Sequence, residues 1–381
     1  MTTGMTTGMT TGMTTGMTTG MTARSAAHTV RLSPSGKDVA CSPGDTVLGA
    51  LERAGYALPN NCRAGACGEC KTKVLDGEVD QGMVLDMALA PAEREQGYRL
   101  MCMAKPISDL VEIEFGTDDA RPKLFPPRDR VLCVVVDSID RTPTIRELRL
   151  RPVGEPLRYW PGQYLMVGDP SAGAPPRPYS IANAPRPDGE IVLLVSRVPD
   201  GRTSGWVHEQ LSTGDRVTVA GPYGTFIGDP GADTPVLCLA AGSGLAPILA
   251  LTDAALRRGF RPPVTLCYSA RGRDDLFDEG LMAWWTAKHR RFRFVPTFTG
   301  DEPDGALPDG SLRGRIPNVL PEIAADLSGH SVYIAGSPEF VEACTDAVIA
   351  LGAPPERIHV EKYHPQAAAE TPPATQLTPA L

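Results

Sequence analysis

Four cysteines have the spacing of an iron–sulfur ligand set. Cys62, Cys67 and Cys70 fall in the stretch CRAGACGEC, and Cys102 follows far downstream in YRLMC. A Cys-x4-Cys-x2-Cys run with one distant cysteine is typical of the thiolate ligands of a 2Fe-2S cluster. The first chemistry that the sequence predicts is therefore the transfer of single electrons.

Two glycines in the same stretch support this interpretation. A two-iron cluster needs two thiolates on each iron, and one loop can supply three of them only if its backbone comes close to the cluster. Gly65 and Gly68 permit that approach because they have no Cβ atom and tolerate positive φ. A structural zinc site usually uses two close ligand pairs, yet zinc and unligated buried thiols both stay open as alternatives. Disulfides are disfavoured because nothing in the chain indicates export.

The remaining cysteines all lie in apolar runs, so they are predicted to be ordinary buried thiols: Cys41, Cys133, Cys238, Cys267 and Cys344.

Regular elements flank the cysteine loop. The pattern predicts a helix over 46–55, ended by a glycine, and strands over 28–32, 71–75 and 110–115. Together these predict a small mixed sheet with one helix. Residues 28–115, including LPNN ahead of the first ligand, resemble the plant-type ferredoxin family. That resemblance implies a β-grasp-like domain.

A second group of residues could bind a flavin. Arg177, Tyr179 and Ser180 in RPYSIAN offer a guanidinium, a flat ring and a hydroxyl on one extended segment. These groups can hold a diphosphate, stack on a flavin ring and donate to its reactive nitrogen. Downstream, Gly201 and Ser204 bound the stretch GRTS, ahead of a helix predicted over 206–211, and its N–H groups and hydroxyls could hold phosphate. Each string by itself is more often a plain strand or turn.

The surrounding segment predicts an antiparallel barrel. Short β-rich runs at 131–136, 145–150, 163–167, 190–198 and 216–219 are separated by Pro, Gly and Asp, and GPYG at 221–224 predicts the tight turn that closes the barrel. The order and spacing of these motifs resemble the ferredoxin-NADP reductase superfamily of flavoproteins. The resemblance implies that Arg177 binds the flavin pyrophosphate, Tyr179 stacks on the isoalloxazine, Ser180 faces its N5, and Gly201, Thr203 and Ser204 bind phosphate.

Strands and helices alternate from residue 234 onward, which predicts a parallel α/β sheet. Strands are predicted at 236–240, 264–268, 292–295, 332–335 and 358–361, and helices at 245–258, 279–288 and 339–351. Gly242, Ser243 and Gly244 follow the first strand, where a glycine-rich turn and a helix N-terminus suit a pyrophosphate. The motif lacks the third glycine of the dinucleotide fingerprint, but with Pro247 it resembles the nicotinamide domain of the same superfamily.

Two further strings extend that resemblance. In AGSP, Gly336 and Pro338 match a turn near the nicotinamide, while Ala335 replaces the family's cysteine. Glu361, Lys362 and Tyr363 come at the end of the last predicted strand, where related proteins have an acidic residue and an aromatic near the flavin. Tyr363 is therefore predicted to cover the ring, with a core or surface role as the alternative.

The loop after the second strand bears on NADH against NADPH. Arg271 could contact the nucleotide, whereas Asp274 and Asp275 would repel the 2′-phosphate of NADPH. NADH is the predicted cofactor.

Length and charge limit the remaining classes. The chain has 381 residues and a net charge of −8 with dispersed basic residues, which disfavours nucleic acid as a partner. No apolar run is long enough to span a membrane, and no secretory signal is present, so a cytoplasmic protein is predicted. The predicted organisation is a disordered Met-Thr-Thr-Gly repeat (1–26), a ferredoxin domain (27–117), a linker (118–129), a flavin barrel (130–231), a nucleotide domain (232–364) and a disordered tail (365–381).

This domain order resembles the reductase components of multicomponent bacterial oxygenases. The resemblance implies an enzyme that passes electrons from NADH through FAD and a 2Fe-2S cluster, one at a time, to an aromatic-ring dioxygenase, a diiron monooxygenase or a ferredoxin. The alternatives are a reductase for deoxysugar biosynthesis and a non-catalytic redox sensor.

Overall fold

The computed structural model describes residues 27–116, 120–229, 232–277, 279–300 and 308–364. The two segments predicted to be disordered, 1–26 and 365–381, lie outside these ranges, and so do residues 118 and 119 of the predicted linker. Within the described residues, one sheet organises each of the three predicted domains. The domain boundaries themselves stay predictions.

The first domain is a five-stranded mixed sheet with the order β2-β1-β7-β3-β5, in which β1 and β7 are parallel. Its main helix starts at the N-cap Thr46, whose hydroxyl accepts from the N–H of Gly49. The structure adds a second short helix to the single one predicted. The elements are β1 (His28–Ser33), β2 (Lys37–Cys41), α1 (Val47–Arg53), β3 (Lys71–Asp76), β4 (Val79–Asp80), α2 (Pro91–Glu95), β5 (Tyr98–Leu100), β6 (Lys105–Pro106) and β7 (Leu110–Glu114).

The second domain is a six-stranded antiparallel sheet with the order β11-β10-β13-β8-β9-β12. It closes into a barrel where Ile181 bridges to Leu193. The prediction that residues 221–224 form the closing turn was wrong, because Gly221–Tyr223 end the last strand. The elements are β8 (Arg128–Asp140), β9 (Ile145–Pro152), β10 (Tyr164–Asp169), β11 (Ala174–Ser180), β12 (Ile191–Ser196), α3 (Arg202–Glu209) and β13 (Arg216–Tyr223).

The third domain is a parallel six-stranded sheet with the order β17-β16-β15-β14-β18-β19. The chain runs outward from β14 in one direction and then returns to place β18 on its other side, so the two strands form a switch point. The predicted elements agree within one to three residues, but β17 and α6 were missed. The elements are β14 (Val236–Ala241), α4 (Leu245–Arg257), β15 (Val264–Ala270), α5 (Glu279–Lys288), β16 (Phe292–Phe298), β17 (Leu312–Arg313), α6 (Ile316–Ile323), β18 (Ser331–Gly336), α7 (Pro338–Ala350) and β19 (Ile358–Lys362).

The domains meet through two different kinds of interface. One hydrophobic cluster joins barrel residues such as Leu194 and Phe226 to Leu245 and Tyr333 of the nucleotide domain. The core of the ferredoxin domain, in contrast, draws on residues between Val30 and Ala120. The barrel and the nucleotide domain therefore share apolar packing, while the ferredoxin domain has a core of its own.

The described part of the predicted linker lies against both of its neighbours. The N–H groups of Lys123 and Leu124 donate to the carbonyl of Gly55, and the Trp160 indole donates to the carbonyl of Lys123. Phe125 stacks on Trp160 with ring centroids 5.6 Å apart. The connection is held in place on both sides.

Candidate functional site

The four cysteines of the ferredoxin domain form two pairs. Cys62 and Cys67 are hydrogen-bonded to each other in the loop between α1 and β3, and Cys70 is hydrogen-bonded to Cys102, which follows β5. Two sulfurs in each pair match the two thiolates that each iron of a 2Fe-2S cluster requires. Among the described residues, no three His, Cys, Asp or Glu side chains converge on a single ion site.

Backbone N–H groups point at these sulfurs. The N–H groups of Ala64 and Ala66 each lie 3.4 Å from the sulfur of Cys62, and the N–H of Cys102 lies 3.4 Å from that of Cys70. The hydrogen bond from Cys67, aided by the N–H groups of Ala64 and Ala66, lowers the pKa of Cys62, while the same hydrogen bond raises the pKa of Cys67. Such donors stabilise thiolate, the form that binds iron.

The glycines of the loop are required by its shape. Gly65 has φ of +69°, and a Cβ there would lie 3.1 Å from the carbonyl oxygen of Met83. Gly68 has φ of +79°, and its Cβ would lie 3.1 Å from the carbonyl oxygen of Ala88. Both positions combine a left-handed backbone with a close neighbour, so the loop fits around a cluster only with glycine here. The residues present therefore fit a 2Fe-2S cluster.

Strand β11 holds the three residues predicted to bind flavin. Its pairing with β10 places Ser180 opposite Tyr164 and Arg177 opposite Val167. The Arg177 guanidinium has no ion pair or hydrogen bond among the described residues, and its role at the flavin diphosphate stays a prediction. Tyr179 is half-buried, and burial raises the pKa of its hydroxyl to about 12. The phenol therefore stays neutral at physiological pH.

A hydrogen-bonded chain links the barrel to the last strand of the nucleotide domain. The hydroxyl of Tyr363 donates to Ser180 Oγ at 2.9 Å, and Ser180 Oγ donates to Glu361 Oε2 at 2.9 Å. Burial raises the pKa of Glu361 to about 7, and the hydrogen bonds from Ser180 and Tyr363 oppose that rise. Glu361 lies within β19, where the strand predicted over 358–361 also places it.

The predicted phosphate cradle is the first turn of α3. The prediction that this helix starts near Trp206 was wrong, because the helix begins at Arg202 with Gly201 as its N-cap. The hydroxyls of Thr203 and Ser204 are already used by the protein, donating to the carbonyls of Pro175 and Gly201. The groups left to face an anion are the N–H groups of the first turn and the exposed Arg202 side chain.

Gly242, Ser243 and Gly244 form a single 3-10 turn at the carboxyl end of β14. Ser243 lines a cavity between the three domains and accepts a hydrogen bond from Ser196 at 2.8 Å. A Cβ on Gly244 would lie 2.2 Å from the carbonyl oxygen of Ala335. Gly244 is therefore a glycine because it packs against the neighbouring strand β18, rather than because a ligand approaches it.

The other residues predicted to bind the nucleotide lie at different places around the carboxyl ends of the strands. Gly336 ends β18 beside Gly244, and Pro338 is the first residue of α7, following its N-cap Ser337. Pro247 is buried in the first turn of α4. Arg271 follows β15 and is bound in a bidentate ion pair by Asp275, with N–O distances of 2.7 and 3.1 Å.

One cavity of about 350 Å³ lies where the three domains meet. It is lined by ten of the predicted cofactor-binding residues and by the predicted iron ligand Cys62: Arg177, Tyr179, Ser180, Gly201, Thr203, Ser204, Gly242, Ser243, Gly336 and Tyr363. The lining does not include Gly244, Pro247, Arg271, Pro338 or the other three predicted iron ligands. The cavity therefore gathers the flavin motifs, the first iron ligand and part of the nucleotide motif, while the other iron ligands and Arg271 lie outside its lining.

Sequence reasoning missed several residues of this cavity. Asn61, Ser196 and Arg202 line it without having been assigned a role, and Glu361, which the resemblance marked only as an acidic residue near the flavin, lines it as well. Arg202 lies within the GRTS motif and Asn61 within LPNN, so the charge of the first and the polarity of the second could have marked them as binding residues. Ser196 enters only through tertiary packing.

The chain matches three family models in the order of its three sheets. Residues 30–106 match the 2Fe-2S iron-sulfur cluster binding domain, residues 135–227 the oxidoreductase FAD-binding domain, and residues 238–346 the oxidoreductase NAD-binding domain. The fold and the site thus define a three-domain iron–sulfur flavoprotein oxidoreductase with FAD, a 2Fe-2S cluster and a nicotinamide nucleotide as cofactors.

Relatives that align with this chain over most of their own length identify the family within this class of oxidoreductases. The chain is 38% identical to the reductase subunit of an aromatic O-demethylase from Amycolatopsis sp., over 88% of this chain and 99% of the relative. It is 32% identical to the reductase component of a phenol 2-monooxygenase from Pseudomonas sp., over 83% and 89%. The crystal structure of an Amycolatopsis cytochrome P450 reductase superposes with a TM-score of 0.80 at 36% identity, over 89% and 99%. This chain belongs to the family of reductase components that pass electrons to oxygenase systems.

Proposed function

We propose that the cavity between the three domains is the place where electrons from NADH become single electrons for an oxygenase. One observation supports this most directly: Cys62 of the ferredoxin domain, Ser180 of the barrel and Ser243 of the nucleotide domain line the same cavity. When bound, FAD accepts a hydride from the nicotinamide and releases its electrons singly, and the cluster takes them one at a time.

The residues of the barrel would hold and orient the flavin. Arg177 and the first turn of α3 offer a guanidinium and N–H groups to the diphosphate. Tyr179 and Tyr363 offer ring surfaces to the isoalloxazine. Ser180 would face the N5 atom, with its hydroxyl held by Glu361 and Tyr363.

The end of the nucleotide sheet would hold NADH. Gly242, Ser243 and Gly336 lie at the switch point between β14 and β18, where ligands of parallel sheets bind. Arg271 lies at the same edge, but its guanidinium is paired with Asp275, which competes with a 2′-phosphate for it. This ion pair supports NADH over NADPH.

Iron would be held by Cys62 and Cys67 on one side and by Cys70 and Cys102 on the other. Cys67 is the most exposed of the four cysteines. The loop that packs on Gly65 carries three exposed apolar side chains, Met83, Leu85 and Met87. We propose that the acceptor docks on this side of the cluster.

The acceptor class is proposed from the relatives. The O-demethylase reductase subunit and the P450 reductase match this chain over nearly their whole lengths and at higher identity than the phenol monooxygenase component. The proposed partner is therefore an oxygenase that acts on an aromatic compound, and a cytochrome P450 is the first candidate. A cytoplasmic location remains a prediction.

An anaerobic titration with NADH tests the electron route. The flavin and the cluster of the loaded enzyme should together accept three electrons, and the absorbance bands of both should bleach. Bleaching of the flavin alone, with the cluster left oxidised, would contradict the proposal.

No described helix is long and apolar enough to cross a bilayer.

A further inference from the structure

Polar contacts attach the cluster loop to the flavin barrel. The hydroxyl of Tyr164 in β10 donates to Asn60 Oδ1 at 2.6 Å and to the carbonyl of Asn61 at 3.2 Å. The amide of Asn61 donates to the carbonyl of Lys362 at the end of β19. These residues immediately precede Cys62, so the first cluster ligand lies at the junction of all three domains.

Arg63 comes directly after that ligand and joins two domains. Its Nη1 lies 2.6 Å from Glu52 Oε1, and Glu52 is a residue of α1 that is 97% buried. Its guanidinium carbon lies 4.1 Å from the centre of the Tyr223 ring, at the end of β13 in the barrel. An arginine can do both at once because its planar guanidinium pairs through its edge and stacks through its face.

The backbone at Arg63 is in an unfavourable conformation. Its φ is +54°, in the left-handed region that the glycines of the same loop also adopt and that, among the described non-glycine residues, only Asp200 adopts besides it. A glycine would adopt this conformation without strain. An arginine that occupies it is held there by its surroundings, and such residues cluster at functional sites.

We propose that Arg63 is a positioning residue that holds the ligand Cys62 against the flavin cavity by joining α1 of the ferredoxin to β13 of the barrel. It sets the separation and orientation of flavin and cluster without touching either the hydride donor or the iron. The ferredoxin domain is then a fixed partner of the barrel during internal electron transfer. This inference rests on the proposed route from the flavin to the cluster.

Three variants of the full-length, cofactor-loaded enzyme test this role: Arg63→Ala, Tyr223→Leu and the control Arg53→Ala. Arg53 is a neighbouring residue on α1 whose ion pair with Asp45 is exposed. FAD content, iron content and NADH-driven ferricyanide reduction should be unchanged in all three. Reduction of cytochrome c through the cluster should fall roughly tenfold in the first two and stay at the wild-type rate in the control, because small displacements of reacting groups are costly.

Amide hydrogen exchange provides the readout that does not depend on activity. In Arg63→Ala and Tyr223→Leu, residues 60–64 should exchange faster, while β3 at the other end of the loop keeps its protection. An unchanged cluster EPR spectrum would show that the iron site itself is intact. A general structural defect would instead alter the spectrum and the protection of β3.

Two results would overturn the proposal. One is an Arg63→Ala enzyme with a full cluster that reduces cytochrome c at the wild-type rate. The other is a Tyr223→Leu enzyme that reduces cytochrome c at the wild-type rate. This variant decides if Arg63→Ala cannot load the cluster, since its substitution lies outside the cluster loop. A wild-type enzyme whose cluster is not reduced by NADH would instead contradict the proposed function, and this is measured first.

Discussion

The hydroxyl of Ser180 donates to the carboxylate of Glu361 at 2.9 Å, although 181 residues separate the two along the chain. The bond joins the flavin strand β11 to the last strand of the nucleotide domain. Both side chains are more than nine-tenths buried. Ser180 is therefore oriented by a domain to which it does not belong.

Burial of Glu361 predicts a pH dependence of stability. Its pKa is about 7 in the folded protein, above the ordinary value for glutamate, so the folded state holds the proton more tightly than the unfolded chain. The associated stability is fully present below the unfolded pKa and is lost as the pH rises through 7. Glu361→Gln should remove up to about 3 kcal/mol of this pH-dependent loss.

Urea unfolding at pH 5.5 and pH 8, followed by fluorescence, should detect about 2 kcal/mol of this loss, because only the part between pH 5.5 and about 7 falls within that interval. Glu339→Gln serves as the control because Glu339 is fully exposed in the first turn of α7. Equal pH dependence in wild type and Glu361→Gln would show that Glu361 is not protonated in the folded enzyme.

The two-pair arrangement of cysteines predicts separable activities. Cys70→Ser should remove the cluster and abolish cytochrome c reduction, because one iron loses half of its thiolates. Ferricyanide reduction by NADH should continue, since the flavin and nucleotide residues lie in other domains. Iron analysis and the two assays measure the outcome.

Cys41→Ser is the matched control for that variant. Cys41 is fully buried in the ferredoxin core but belongs to neither pair. It should keep its iron. Loss of ferricyanide activity in Cys70→Ser while FAD stays bound would contradict the separation of the two modules.

The ion pair between Arg271 and Asp275 predicts the effect of freeing the arginine. Asp275→Asn should raise kcat/KM for NADPH by roughly threefold to tenfold, because the guanidinium becomes available to the 2′-phosphate and one repelling charge is removed. The value for NADH should change little. Steady-state kinetics with both nucleotides measure the ratio.

A second arginine–aspartate pair supplies the control. Arg257 and Asp253 form the ion pair at the C-terminal end of α4, on the opposite side of the domain from the strand ends, with an N–O distance of 2.8 Å. Asp253→Asn should leave the ratio unchanged. An unaltered ratio in Asp275→Asn would remove Arg271 from the nucleotide site.

Close packing at the switch point predicts a steric effect. Gly244→Ala should destabilise the protein by about 1–3 kcal/mol and weaken NADH binding, because the new methyl group would overlap the backbone of Ala335. Gly280→Ala in α5 is the control, since a Cβ there meets nothing within 4 Å. It should stabilise the protein slightly, by about 0.5–1 kcal/mol. Thermal unfolding of both variants decides, and equal midpoints would contradict the packing argument.

Local sequence signals were sufficient for the elements that have strong periodicity. The helix α4 was predicted within one residue, and β14 and β15 were predicted at the correct places, because apolar runs and glycines identify them without tertiary information. α6 was missed, since Ile316–Ile323 contains Pro321 in its interior, where a proline normally disfavours a helix. β11 was predicted only as an extended segment, because three prolines interrupt it.

The sequence by itself determined the iron ligands' spacing, the order of the three domains and the residue types of the flavin and nucleotide motifs, since each is written in contiguous residues. Only the tertiary structure decided which of these residues share a cavity. Pairing of β14 with β18 brings Gly242 and Gly336 together, and the contact of Glu361 with Ser180 depends on how two domains pack. Such contacts join residues far apart in the chain, and no local pattern specifies them.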